Sequence, residues 1–86
     1  MTEDIIVKLK IGSVVMACAG RDSGKFFVVT QSDEKCVYMA DGRERKLDKP
    51  KRKNIKHLRI TDSMIDLNEI TDKKLRQLLK DFNGAE

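Results

Sequence analysis

Three short apolar runs, separated by tight polar turns, limit what this chain can become. They are Ser13–Ala19 (SVVMACA), Lys25–Gln31 (KFFVVTQ) and Lys35–Ala40 (KCVYMA). Valine and phenylalanine favour a pleated, extended backbone. The loop Gly20-Arg21-Asp22-Ser23-Gly24 joins the first two runs, and its glycines can supply positive φ at the bend. Ser32-Asp33-Glu34 joins the second to the third. Asp41-Gly42 then offers a strong two-residue hairpin signal, so Arg43–Leu47 is expected to return as a charged fourth strand. His57–Thr61 (HLRIT) is expected as a fifth. Short strands joined this way predict a mostly β fold, an antiparallel barrel or sandwich. The runs are apolar on both faces, so alternation alone does not say which side chains point inward.

The period changes near the C-terminus. Leu75, Leu78, Leu79 and Phe82 follow the i, i+3, i+4, i+7 spacing of one helix face. Lys73, Lys74, Gln77, Lys80 and Asp81 fall on the other side. Thr71 suits the N-cap and Asp72 the first turn, with Ile70 and Leu75 placed as a hydrophobic staple and Gly84 as the stop. The helix is expected to lay its leucine stripe on the β unit. The expected division is a β unit over residues 1–61 and a helical appendage over 62–86.

At 86 residues the chain suits one small domain with a modest core. No apolar run is long enough to span a bilayer. Acids and lysines interrupt Ile5-Ile6-Val7 in the stretch Met1–Lys10 where a signal peptide would lie, so a cytoplasmic location is expected. Cys18 and Cys36 each lie in an apolar run, far from the paired spacing of metal sites, and read as small buried residues.

Charge is distributed very unevenly. Between Gly42 and Arg59 nine Lys/Arg stand against Glu44 and Asp48, a net +7, whereas the remaining 9 basic and 12 acidic residues give −3. A polyanion-binding surface needs this kind of concentration. Within it, Lys49–Lys56 reads as an exposed loop, because Pro50 disfavours a central strand and five of the eight residues are basic.

Other chemistries find little support. Gly20-Arg21-Asp22-Ser23-Gly24-Lys25 has three residues between its glycines, and Phe26 follows the lysine; a P-loop needs four, then Ser or Thr. It reads as a hairpin turn whose Arg21 and Lys25 can touch a nucleic-acid backbone. His57 is the only histidine, and no triad or metal-ligand cluster surrounds it, so neither catalysis nor a cofactor is expected. Asp22, Asp41 and Asp62 are expected at turns or helix starts, held by local hydrogen bonds. There is no Trp and one Tyr, Tyr38; Phe26, Phe27 and Phe82 are needed for the core. Recognition of a nucleic acid through its phosphates and shape is therefore expected over base stacking.

From Gly12 to Arg59 the chain resembles a KOW-motif domain: an apolar strand Val14–Ala19, the basic glycine turn Gly20–Lys25, and a second apolar strand Phe26–Val29. Ala40-Asp41-Gly42-Arg43, Lys46-Leu47, Lys49-Pro50-Lys51-Arg52-Lys53 and Lys56-His57-Leu58 resemble the large-subunit ribosomal protein fourteen-e family. The resemblance implies a small SH3-like barrel that binds ribosomal or other structured RNA. It places Arg21 and Lys25 of the first turn near the RNA, and Arg43, Arg45, Lys46, Lys49, Lys51, Arg52, Lys53 and Lys56 of the second basic segment. Arg59 joins them as the end of the same run. The expected role is non-enzymatic, in ribosome structure, assembly or translation, as a monomer among ribosomal or other RNA-associated proteins. The alternative is a protein-interaction module, like some KOW domains of transcription elongation factors, working through the basic edge or the C-terminal helix.

Overall fold

The computed structural model describes residues 9–83. Five strands form one antiparallel sheet: β1 (Ser13–Ala17), β2 (Phe26–Ser32), β3 (Cys36–Ala40), β4 (Lys51–Asn54) and β5 (Leu58–Met64). Their order across the sheet is β4-β3-β2-β1-β5. One helix, α1 (Asp72–Lys80), follows. Its N-cap is Thr71, whose hydroxyl accepts from the Lys74 amide at 3.1 Å. The expected stop at Gly84 lies outside the described residues, as does most of the N-terminal stretch Met1–Lys10.

The fourth strand differs from expectation. Arg43–Leu47 is a loop, and β4 forms inside the segment expected to be one. The cause lies in the backbone donors. Asp41 Oδ1 accepts from the amides of Arg43 (2.8 Å) and Arg45 (3.0 Å), while the Arg45 carbonyl accepts from the amides of Asp41 and Gly42. The Leu47 amide donates to Asp72 Oδ1 at 2.8 Å. With these groups committed to a compact turn, the chain reaches β3 only after Pro50. Proline is tolerated directly before an edge strand, where no ladder bond is lost. Lys51, Arg52 and Lys53 then pair with Met39, Tyr38 and Val37.

Both faces of the sheet are buried, which explains why the strands lack a polar alternation. Val15, Ala17, Phe27, Val29, Val37 and Met39 lie on one face and gather with Leu9, Ile55 and Leu58. Val14, Val28 and Ala40 lie on the other and are covered by Leu75 and Leu79 of α1, with Phe26, Leu47, Ile65, Leu67, Ile70 and Phe82 around them. The helix therefore packs on the sheet as its leucines predict, although Leu78 stays exposed. Phe27 is buried and the rings of Phe26 and Phe82 meet at 5.6 Å, so all three phenylalanines serve the core. The last strand, β5, runs to Met64.

The sheet is strongly bent. Only the single 3₁₀ turn Ile55–His57 links β4 to β5, which occupy opposite edges. Four flat inter-strand spacings would separate those edges by roughly 19 Å. Four Cα–Cα steps reach at most about 15 Å. Two irregularities in the pairing contribute to the bend. Thr30 is an extra residue in β2 opposite β3, and its hydroxyl donates to the Tyr38 carbonyl at 3.2 Å. In β5, Thr61 lies within a shift of register against β1, and its hydroxyl donates to the Val14 carbonyl at 2.7 Å. Such bulges raise local twist, and here each threonine satisfies a carbonyl beside the interrupted ladder.

Cys18 and Cys36 depart from the buried reading. Cys18 lies just beyond the end of β1 and is exposed, and Cys36 at the start of β3 is half-buried.

Gly42 has a φ of +79°, and a Cβ there would run into the Asp72 carbonyl and come within 3.2 Å of Arg76. Gly24 has a φ of +88° but open space around it. Gly42→Ala is therefore expected to cost roughly 3 kcal/mol or more, and Gly24→Ala about 1 to 2 kcal/mol from backbone strain alone. Urea denaturation of the two variants checks this; equal losses would show that the helix–turn approach at Gly42 is not tight.

Candidate nucleic-acid interface

The β1–β2 turn is wound tightly. The Ser23 amide donates to the Gly20 carbonyl, the Gly24 amide to the Ala17 carbonyl and the Lys25 amide to the Asp22 carbonyl. This winding leaves Arg21, Ser23 and Lys25 in solvent and turns Asp22 inward, where it is 3% exposed. Asp22 does not serve the local turn bond expected of its carboxylate. Its Oδ2 lies 3.4 Å from Arg45 Nη2 and 3.7 Å from Lys51 Nζ. The first is a long hydrogen bond; the second is a Coulombic contact beyond hydrogen-bond range. Asp41 does behave as expected of a turn aspartate, while Asp62 lies within β5.

A second link runs parallel to the first. Lys53 Nζ donates to the Ala19 carbonyl at 3.2 Å, directly beside Gly20. Lys51 and Lys53 lie on the same face of β4, the face that Val37 and Met39 present in β3. Their long stems cover the end of that core while their ammonium groups reach the turn. The two basic segments, joined by contacts 23 to 34 residues apart in sequence, are thereby linked through Asp22 and Ala19.

The eleven candidate cations fall into distinct places. Arg45, Lys51 and Lys53 are half-buried and hold the two segments together, so part of their charge is committed to the fold. Arg21, Lys25, Arg43, Lys46, Lys49, Arg52, Lys56 and Arg59 are exposed. Arg21 is adjacent to the Asp22 junction, and Lys46 and Lys49 lie on the loop leading into β4, where the Lys49 amide donates to the Lys46 carbonyl. Lys25 and Arg43 open onto a cleft beside α1. Arg52 pairs with Tyr38 on the helix-side face of the sheet, opposite to Lys51 and Lys53. Lys56 is in the 3₁₀ turn, and Arg59 pairs with Met16 on the far edge strand. The basic residues thus do not form one flat patch. Most lie towards the end of the sheet where the β1–β2 turn, the 41–50 loop and the start of β4 meet, whereas Lys56 follows the other end of β4, where the Ile55 amide donates to the Lys35 carbonyl, and Arg59 lies on β5. His57 is exposed, and its carbonyl accepts from the Cys18 amide at 2.8 Å.

No family model matches the chain, and no curated protein does. Among the described residues no cluster of His, Cys, Asp and Glu gathers to hold a metal ion, and no helix is long and apolar enough to cross a membrane.

Arg76 and Lys80 of α1 were not among the candidates, yet they line the same cleft as Lys25 and Arg43. Their i, i+4 spacing was available in the sequence, but the side of the helix that would face the basic turns was not.

Replacing Asp22 by Asn removes the charge that Arg45 and Lys51 face while keeping the shape. Both cations are about a third exposed, at 32% and 35%, so solvent screens part of the loss. The expected cost is about 1 to 2 kcal/mol, below that of breaking a fully buried pair. A urea midpoint unchanged from the parent would show that this junction contributes nothing to stability.

Proposed function

We propose that the protein is a small SH3-like β-barrel that binds structured RNA without catalysing a reaction. Its first target is ribosomal RNA, and its role lies in ribosome structure, assembly or translation. The short link between β4 and β5 supports the barrel reading, because it draws opposite edges of the sheet towards each other around the core of Val15, Phe27, Val29, Val37 and Met39. The α1 helix would then lie on the outer surface.

One observation carries the RNA reading. Two basic segments distant in sequence are held side by side by Asp22 and by the Lys53–Ala19 bond, and their other cations face solvent. Lysines and arginines that neutralise phosphates release condensed counterions, so such an arrangement favours a nucleic-acid backbone. Holding the cations in place beforehand lowers the ordering cost of binding. The scarcity of aromatic side chains favours phosphate and shape recognition over stacking. The protein-interaction alternative has less to work with on the helix, since Leu75 and Leu79 are committed to the chain's own core and leave Leu78 as the one exposed leucine of α1.

Titration of purified large-subunit ribosomal RNA at several salt concentrations tests the proposal. With about five phosphates engaged, log K is expected to fall with log[salt] at a slope of roughly −4 to −5. Charge reversal of Arg21, Lys49 and Arg52 is expected to weaken binding at least about tenfold and to flatten that slope. These three are exposed, whereas reversal at Lys51 or Lys53 would also disturb the junction with the first turn. Unchanged affinity in the triple variant would overturn the proposal.

A further inference from the structure

A cleft of about 570 Å³ opens between the Gly24-Lys25 turn, the Asp41–Glu44 turn and the second half of α1. Building on the RNA-binding reading above, we infer that α1 is a third RNA-contacting element and that this cleft seats a stretch of RNA phosphodiester backbone. Lys25, Arg43, Arg76 and Lys80 line it, against the carboxylates of Asp41 and Glu44. Four cations against two carboxylates leave an excess of positive charge. Asp41 is further engaged, because its Oδ1 already accepts two backbone amides. Glu44 is the carboxylate that remains exposed beside the cations.

The size of the cleft falls within the roughly 300–1,000 Å³ of ordinary ligand sites, but such sites are mostly apolar. Eight of the ten residues around this cleft carry a charged or amide group at the end of an aliphatic stem, which suits a hydrated polyanion better than an apolar small molecule. The end of a helix would normally oppose an anion, since its last carbonyls carry partial negative charge. Here Asn83 blunts that effect: its backbone amide and its side-chain amide both donate to the Leu79 carbonyl, at 3.0 and 3.3 Å. Lys80 adds a full positive charge in the same turn.

Three separate links fix the walls. Arg76 Nη1 donates to the Gly42 carbonyl at 2.8 Å, tying the 41–44 turn to the helix. Asn83 Oδ1 accepts from the Phe26 amide at 2.9 Å, tying the end of the helix to the start of β2. The Arg45–Asp22 contact ties the two turns to each other. A cleft closed by such a triangle of contacts keeps its cations in place before any ligand arrives.

Three single variants, each titrated with the same ribosomal RNA over a range of salt, test the inference. Lys80→Gln is expected to weaken binding about fivefold near 0.15 M salt and to reduce the salt slope by about 0.9, the loss of one phosphate contact. Glu44→Gln is expected to tighten binding. Lys74→Gln removes the same charge from the same helix but on the side facing Met64 and Leu78, and is expected to change affinity less than twofold. Equal losses for Lys80→Gln and Lys74→Gln, or no loss for Lys80→Gln, would overturn the cleft as a site. A parent protein that binds no RNA would instead overturn the function it rests on. All three side chains are exposed, so thermal melts should coincide with that of the parent.

Discussion

A sheet with apolar side chains on both faces must have both covered, and most of this structure answers that demand. One face is covered by Leu9, Ile55 and Leu58, which gather on Val15, Phe27 and Met39 as the sheet bends. The other is covered by α1, whose Leu75 and Leu79 are almost fully buried against Val14, Val28 and Ala40. Complete burial of each such leucine contributes about 1.5 to 3 kcal/mol, a large share of the stability of a chain this small. The bulges at Thr30 and Thr61 and the short link between β4 and β5 follow from the first solution; the docking of the 41–47 turn onto the helix follows from the second.

Much of this was legible in the residues. The three apolar strands, the capped helix and its leucine stripe come from local patterns that tertiary contacts do not override. What the pattern could not resolve was the inward face, because both faces are inward. The fourth strand was misread for a different reason. Asp41-Gly42 does form a turn, but Asp41 and Arg45 consume the backbone donors and acceptors that a returning hairpin strand would need. Five cations in eight residues favour solvent, yet an edge strand lets Arg52 reach water while Lys51 and Lys53 extend along the core to Asp22 and Ala19.

The candidate site shows the same division between local and distant causes. Charge density alone marks the Gly42–Arg59 segment and the glycine turn. Which cations are committed to the fold depends on a single inward-turned aspartate, and nothing in the local sequence of Asp22 distinguishes it from the ordinary turn aspartates at Asp41 and Asp66. The contribution of α1 to the cleft depends on how the helix is rotated over the sheet, which follows from Leu75 and Leu79 packing inward and Gly42 admitting close approach to Asp72 and Arg76.

The placement of β4 has one more consequence. Among the described residues β4 has a neighbouring strand on one side only, and a strand edge left open ordinarily invites a second molecule to extend the sheet, which is the first step towards fibrils and amorphous precipitates. Here that strand reads Lys-Arg-Lys-Asn, so two copies approaching edge to edge would crowd three cations from each into one short seam. Whatever else they meet, these side chains make the rim a poor template for its own kind.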